Sequence, residues 1–375
     1  MDILIYAYIE CFLLALTLFL WLSPRNKGTF LFVIGAFITF FVLAFRSRDI
    51  GGDTFAYCDY FNGTGSYYGN VDYSEQTTEI GYYLLNKFLR IFGDNDFIII
   101  FGTSVVTLLP FYYLIYKNNK ENRLLSLFMY FSMWFLLTNS QTALRQCCAI
   151  GFMLVAYIIY ETGKLKAVVK YGLILFFVAL SLLSHTTMYI VFPILIAIHF
   201  MKLSRNGAIL ALIISLVVTI LSQNLVGDVL SFLSLLAASS IDSAEITRYL
   251  NYDIENESVL NYTLFLYVLV IVLLSSEDEC KKFSLKCLVV GQCMFIFSSA
   301  FALSYRLALG LFFFGATYTP RNFTIKNKNA IAMLFNLILI FCIVKTCYTD
   351  FYKYVNYKTM ISDTARMLPY SFIWE

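Results

Sequence analysis

Five ionisable side chains interrupt or border the long apolar stretches of this sequence, and they are the residues best suited to chemistry. They are Arg46, Arg48, Arg145, His185 and Arg306. An ionisable side chain at or inside a membrane costs about 2.5–3.5 kcal/mol on insertion scales, and such residues usually face a polar cavity. The alternative for any one of them is a snorkelling anchor, whose charged head reaches the interface from an apolar stem.

Several arginines at one membrane surface would suit a polyanion, because guanidinium groups stay charged and bind phosphate oxygens through paired hydrogen bonds. A lipid diphosphate held at the outer leaflet would be such a ligand. Asp53, Glu79 and His185 add candidate acid, base or orienting groups. Asp53 could instead hold an arginine in place as its salt-bridge partner. The neighbouring Gly51 and Gly52 predict a tight turn or a close approach of the backbone.

The composition indicates that these residues belong to a polytopic membrane protein. The 375-residue chain is 60% hydrophobic and 14% charged, with a mean hydropathy of +0.73, whereas soluble domains carry about 25% charged residues. The net charge of +3 is small and dispersed, which argues against a nucleic-acid partner. No linker-like or disordered tract divides the chain, so we expect one integral-membrane domain over residues 1–375.

Apolar segments long enough to cross a bilayer predict about twelve transmembrane helices and therefore an all-α polytopic fold. The segments cover approximately residues 3–22, 29–45, 97–116, 124–138, 142–160, 168–184, 186–201, 207–223, 259–275, 284–302, 306–319 and 330–347. Most of the lysines and arginines lie in six short alternate loops between them. The orientation rule places such loops in the cytoplasm.

The opposite, outer side then contains two long loops, at about 46–96 and 224–258, the C-terminal tail, and tight turns near residues 140, 185 and 304. Both chain termini are predicted to lie on this side. All five ionisable residues fall on it as well, although the orientation rule depletes positive charge there. Their shared side favours a common ligand over separate anchors.

Two segments of the long outer loops are predicted to be amphipathic helices that lie in the membrane interface. In residues 79–92, apolar side chains repeat along one helical face at Ile80, Leu84, Phe88 and Ile91. Residues 228–250 show a weaker version of the same pattern. Such helices would either wall a cavity at the membrane surface or cover the backbone of the loops, and the periodicity favours neither.

Four short motifs occur in a fixed order over roughly residues 30–200. They are Phe45-Arg46-Ser-x-x-Ile50-Gly51-x-Asp53-Thr54-x-x-Tyr57, Glu79-x-Gly81-Tyr82, Leu144-Arg145-Gln146-x-x-Ala149, and His185-Thr-Thr followed by Pro193. Weaker echoes follow at Arg248-Tyr249-x-x-Tyr252 and Tyr305-Arg306-Leu307. In this order the motifs resemble the EpsG family of bacterial exopolysaccharide proteins, which are similar to Wzy-type polymerases. His185 is followed by Thr where that family often has His or Ser.

The resemblance implies a glycosyltransferase of the GT-C type in the bacterial inner membrane, with the outer side in the periplasm. It would polymerise oligosaccharide repeat units, transferring the growing glycan from undecaprenyl diphosphate to the non-reducing-end hydroxyl of an incoming lipid-linked unit. No cofactor and no metal ion are expected, because the lipid diphosphate is itself the leaving group. The expected partners are the undecaprenyl-diphosphate-linked oligosaccharide and membrane lipid, and a chain-length regulator protein is a candidate.

The transfer needs cations at the diphosphate, because breaking the anomeric C–O bond develops negative charge there. The predicted diphosphate-binding residues are Arg46, Arg145, Arg306, Arg248 and Arg48. Arg145 and Arg46 are the primary candidates, and Arg48 could be a ligand or an anchor.

The predicted catalytic residues are Arg145, His185, Glu79 and Asp53, of which the last three compete to be the base or orienting group for the acceptor hydroxyl. If a neutral His185 accepts the proton, activity should fall below about pH 6.5.

Two other functions remain open from the sequence. An O-antigen ligase would use the same donor but attach the finished glycan to another lipid. A flippase or transporter of lipid-linked oligosaccharide would need charges along a central pathway, often within repeated halves. The charges collect on the outer side, and no internal repeat is found in the sequence, which favours transfer chemistry.

Overall fold

The computed structural model describes residues 12–13, 28–51, 53–63, 79–120, 122–132, 134–163, 165–220, 262–297, 302–320, 337–338 and 341. The regular structure within them is α-helical. The helices are α1 (Gly28–Ala44), α2 (Thr54–Asn62), α3 (Ile80–Arg90), α4 (Asp96–Asn118), α5 (Arg123–Ser132), α6 (Trp134–Thr142), α7 (Leu144–Glu161), α8 (Ala167–Ser184), α9 (Met188–Phe200), α10 (Arg205–Ile220), α11 (Tyr262–Leu274), α12 (Glu277–Cys280), α13 (Phe283–Phe297) and α14 (Ala302–Gly315).

The all-α prediction is confirmed for these residues. Three helices, α4, α7 and α8, are long and apolar enough to cross a membrane, and α1, α9, α10 and most of α11 and α13 form shorter apolar helices. The predicted spans 3–22 and 330–347 and the predicted helix 228–250 lie almost entirely outside the described residues. The count of about twelve spans and the GT-C type stay predictions.

Helix α4 lies at the centre of the first half of the fold, where it packs against α1, α2 and α7. The Asn95 side chain caps its start by accepting a hydrogen bond from the Ile98 N–H at 3.1 Å, as short polar residues do at this position. Its 23 residues rise about 35 Å, enough to cross a bilayer. The hydroxyls of Thr39 on α1 and Tyr112 on α4 lie 2.9 Å apart in the interior, so these two buried polar groups are paired.

The helices run back and forth between two ends of the bundle, which we call the arginine end and the lysine end. The arginine end carries Arg145, His185 and Arg306, and the lysine end carries Lys117, Glu161, His199 and Lys282. Helix α7 begins beside Arg145 and ends at Glu161, about 24 Å away along its axis. Helix α9 then reaches His199, whose Nε2 lies 3.3 Å from the Tyr160 hydroxyl. These helices therefore alternate between the two ends, whereas the assignment of the ends to the outer and cytoplasmic sides of a membrane stays a prediction.

Helix α3 has the predicted boundaries to within two residues and is amphipathic. Its inward face buries Tyr82, Leu85 and Leu89. The four residues of the predicted apolar face are instead exposed, at 45–75% of their surface: Ile80, Leu84, Phe88 and Ile91. An apolar face turned away from the protein supports the predicted position in the membrane interface.

One detail of the sequence interpretation was wrong, and one helix was missed. The predicted turn near residue 304 lies inside α14, which begins at Ala302, since no helix-breaking residue precedes Arg306. The first outer loop also contains α2, which was not predicted because its sequence TFAYCDYFN lacks a clear apolar period.

Candidate functional site

The loop that follows α1 is fastened to the end of α6 through one carbonyl group. The backbone oxygen of Gln141 accepts hydrogen bonds from Arg46 Nη2 at 3.1 Å and from Thr54 Oγ1 at 2.7 Å. Gly51 has a φ of 98°, and a β-carbon on it would lie 2.6 Å from the same oxygen. Only glycine accepts both this backbone conformation and this contact. The prediction of a close backbone approach at Gly51 is confirmed, whereas Gly52 lies outside the described residues.

Arg46 has a different surrounding from the one expected of a phosphate ligand. Its side chain is fully buried, and its three guanidinium nitrogens donate to the carbonyls of Leu43, Ile50 and Gln141. A buried guanidinium committed to backbone carbonyls holds the loop in place. The geometry therefore favours a positioning role for Arg46, and its predicted contact with diphosphate stays untested.

Arg48 is paired on both sides by acids of the same outer region. One of its terminal nitrogens donates to Asp96 at 3.2 Å, and the other donates to Asp59. Its guanidinium also lies 4.0 Å from the centre of the Phe55 ring. From the sequence, Arg48 was left open between a ligand and a snorkelling anchor. The contacts indicate a third role, an ion-paired link that ties α2 to the start of α4, and the predicted contact with diphosphate stays untested.

Arg145 occupies the first turn of α7 and contacts two residues of the outer loop. Its Nη1 donates to the Glu79 carboxylate, and its Nε donates to the Tyr57 hydroxyl at 3.2 Å. The side chains of Arg145 and Glu79 are 19% and 13% exposed. Because this largely buried guanidinium is held from two sides, its direction is fixed before any ligand arrives. Glu79 and Arg145, both predicted as site residues, are thus in direct contact.

The Glu79-x-Gly81-Tyr82 motif brings this carboxylate to α8. A β-carbon on Gly81 would lie 2.5 Å from Ser184 Oγ and 2.8 Å from the Leu180 carbonyl, so α3 can approach the end of α8 only with glycine there. The Tyr82 ring meets the Tyr57 ring edge-on, with centroids 5.8 Å apart. The motif thus places Glu79 beside the end of α8, where His185 follows.

His185 ends α8 and is 9% exposed. Its Nδ1 accepts a hydrogen bond from the Thr187 N–H at 3.2 Å and lies 2.8 Å from the Thr187 hydroxyl. A neutral imidazole with Nδ1 as acceptor carries its proton on Nε2. Burial, followed by the charges of Arg145 and Arg306, lowers the pKa of His185 to about 3. His185 is therefore a neutral hydrogen-bond donor at physiological pH, which does not suit the role of base.

Arg306 joins the cluster from α14. The neighbouring Gln146 side chain donates to the Arg306 carbonyl at 2.7 Å and so fastens the start of α7 to α14. Desolvation by the surrounding protein has the largest effect on the pKa of Asp53, Glu79 and His185. The charges of Arg145 and Arg306 lower the pKa of all three and so favour the unprotonated forms, and the hydrogen bond from Arg145 lowers that of Glu79 further. Five residues predicted from the sequence therefore share one electrostatic environment: Asp53, Glu79, Arg145, His185 and Arg306.

Asp53 and Glu79 differ in what holds their carboxylates. Each lies at the N-cap of a helix, yet neither side chain makes the usual capping hydrogen bond. Glu79 is bound to Arg145, whereas Asp53 is exposed to solvent at the edge of the cluster. Desolvation by the surrounding protein is the largest influence on both, although it is only partial for the exposed Asp53, and it raises the pKa of each above its ordinary value, against the opposing charges of the two arginines. Asp53 is thus the more accessible proton acceptor.

The structure leaves one predicted residue unplaced and adds others. Arg248 lies outside the described residues. Tyr57 accepts a hydrogen bond from Arg145, and Gln146 donates one to the Arg306 carbonyl. Both residues belong to the four motifs, but the motifs alone did not indicate these contacts. The carbonyl of Gln141 is a backbone group, and no side-chain pattern could have revealed it.

Comparison with known proteins gives one family. The EpsG family matches residues 29–372 of the chain. No curated protein and no solved structure matches the chain.

Proposed function

The chain belongs to the EpsG family, and we propose that it is a membrane glycosyltransferase that polymerises an exopolysaccharide or O-antigen. The donor would be a growing glycan on undecaprenyl diphosphate, and the acceptor would be the non-reducing end of a second lipid-linked repeat unit. The reaction would take place at the arginine end of the bundle, which is predicted to face the periplasm of a bacterial inner membrane.

One observation carries the proposal, namely the convergence of two arginines with two carboxylates and a histidine at one end of the helices. Arg145 starts α7, Arg306 lies near the start of α14, and Asp53 and Glu79 come from the outer loop. Distant parts of the chain supply these charges, although isolated charges at a membrane are costly. Cations with acids beside them at a membrane surface suit transfer from a lipid-linked anion.

The proposed step forms one bond and breaks one bond. The acceptor hydroxyl oxygen bonds to the anomeric carbon of the donor, and the bond from that carbon to the diphosphate oxygen breaks. The lipid diphosphate leaves with the electron pair, and the hydroxyl proton passes to a carboxylate. Arg145 and Arg306 would stabilise the charge that develops on the diphosphate, and such preorganised electrostatic stabilisation usually contributes more to catalysis than any other single effect.

Asp53 is our choice for the proton acceptor. Its carboxylate is accessible, and partial desolvation by the surrounding protein raises its pKa in the direction that suits a base working near neutral pH. Glu79 is bound to Arg145 and would keep that guanidinium aimed at the diphosphate. His185 would donate a hydrogen bond from its Nε2–H to a sugar or phosphate oxygen and would keep its proton.

The glycans of a deletion strain test the proposal. Cells that lack the protein, or that carry Arg145→Ala, should display single repeat units, whereas wild type and the exposed-lysine control Lys87→Ala should restore long chains. Long glycan chains on cells that carry a full-length, membrane-inserted Arg145→Ala protein would contradict the proposal. Polymer that accumulates on undecaprenyl diphosphate in the deletion strain would identify a ligase, because a ligase acts after polymerisation.

A further inference from the structure

A second charged site lies at the lysine end, opposite the cluster of arginines. A cavity of about 630 Å³ opens between the ends of α4, α7 and α9 and the start of α13. Five lysines line it: Lys117, Lys120, Lys281, Lys282 and Lys286. Glu161 is the one carboxylate among the described residues of its wall. The proposed polymerase reaction at the arginine end makes no use of this cavity.

Three of these lysines, Lys117, Lys120 and Lys281, can turn toward an anion. Lys286 cannot, because its Nζ donates to the carbonyls of His199 and Met201 at 3.1 and 2.9 Å and closes the end of α9. Lys282 is held as well, 3.8 Å from the buried Glu279 carboxylate and over the Tyr318 ring. Lys117 lies 3.8 Å from Glu161, and Lys281 pairs with the exposed Asp278. Such surface pairs contribute about 0–1 kcal/mol, so a phosphate could replace them at little cost. Lys120 is exposed.

An apolar groove joins the cavity along the side of the bundle. The groove measures about 240 Å³, lies between α7, α8 and α9, and shares Tyr157, His199 and Phe283 with the cavity wall. Ile196 and Phe200 in the groove are 44% and 76% exposed. The groove is therefore open to the outside of the bundle, where a membrane would place acyl chains.

We propose that the cavity and groove together bind an anionic phospholipid of the leaflet at the lysine end. Its phosphate would lie among Lys117, Lys120 and Lys281, and one acyl chain would lie along the groove. A soluble phosphate would use only the cavity, and a neutral lipid would leave the lysines without a ligand. Lysine-lined pockets beside membrane helices suit anionic head groups, which are abundant in cytoplasmic leaflets, and the lysine end is predicted to face the cytoplasm.

Native mass spectrometry of the purified full-length protein, titrated with phosphatidylglycerol, tests this proposal. Wild type should take up phosphatidylglycerol in preference to phosphatidylcholine of the same chain length. Each lysine near a lipid surface is worth about fivefold in affinity, so Lys117→Ala/Lys120→Ala should weaken binding about thirtyfold. The matched control Lys87→Ala/Lys166→Ala removes two exposed lysines that do not line the cavity and should bind as wild type does.

Two further sets of variants test the lipid site. If the alanine pair fails to fold, Lys120→Glu/Lys281→Glu changes two exposed side chains and should abolish the preference for phosphatidylglycerol. Ile196→Gln should weaken lipid binding severalfold without changing the binding of inorganic pyrophosphate.

Equal uptake of phosphatidylglycerol and phosphatidylcholine, or no effect of the lysine changes, would overturn the proposal. Pyrophosphate that binds as tightly as the lipid, with no effect of Ile196→Gln, would replace the lipid by a soluble anion. These readouts measure binding, so they stand apart from the polymerase proposal.

Discussion

Replacing Arg145 by alanine should slow glycosyl transfer about a thousandfold. The side chain is 19% exposed, so an effective dielectric constant of about 20 applies, and a unit charge about 4 Å from a phosphate oxygen contributes about 4 kcal/mol. Each 1.36 kcal/mol is tenfold in rate. This predicted thousandfold loss of rate lies at the upper end of the hundred- to thousandfold losses known when a single preorganised hydrogen-bond donor is removed. Arg145→Lys keeps the charge but cannot reach both Glu79 and Tyr57, so it should recover only part of the rate.

The assay is the initial rate of glycan lengthening by purified protein, supplied with the lipid-linked repeat unit that accumulates in the deletion strain. Lys87→Ala removes an exposed cation outside the cluster and should retain the full rate. Arg145→Ala leaves Glu79 without its partner, so the double variant with Glu79→Gln separates lost charge from poor folding. It should regain thermal stability without regaining activity. A rate for Arg145→Ala within tenfold of wild type would refute the electrostatic role.

Three further predictions concern the base, the histidine and the loop. Asp53→Asn should lower kcat at least a hundredfold, and because Asp53 acts only when deprotonated, wild-type activity should fall as the pH drops through its raised pKa. In Arg306→Gln, which removes a charge that lowers this pKa, the acid limb should move to higher pH, and an unmoved limb would exclude Asp53 as the base. Since the pKa of His185 is lowered to about 3, kcat/KM profiles of wild type and His185→Gln should have the same shape from pH 5 to 8, and a limb near 6.5 present only in wild type would contradict this. Gly51→Ala should cost at least about 1 kcal/mol for the left-handed backbone and lower the Tm, whereas Gly163→Ala, which meets no atom within 4 Å, should not.

The helices and the cluster could be predicted from the sequence, because both rest on patterns that side chains carry. Apolar length predicts where a long helix lies, and the arrangement of lysines predicts which loops share an end. The sequence therefore assigns Arg145, His185 and Arg306 to one end of the helices, and the structure brings them together there.

The individual roles of the arginines could not be predicted, because they depend on backbone geometry and on partners distant in sequence. Arg46 and Arg48 are two residues apart in one motif. Arg46 nevertheless donates hydrogen bonds to backbone carbonyls, whereas Arg48 forms ion pairs with two carboxylates. The hydrogen bond from the Thr187 N–H to His185 Nδ1 likewise changes that residue from a candidate base into a donor. The tautomer of His185 could not be predicted from the residue type, because it depends on the hydrogen bond that Nδ1 accepts in the folded protein.

The stoichiometry of the purified protein with its lipid-linked repeat unit tests the central proposal most directly. One undecaprenyl diphosphate should be released for each glycosidic bond, and the glycan should lengthen by whole repeat units while still attached to a lipid diphosphate. Release of undecaprenyl diphosphate without lengthening, or the appearance of the glycan on a different lipid, would contradict the proposed polymerase.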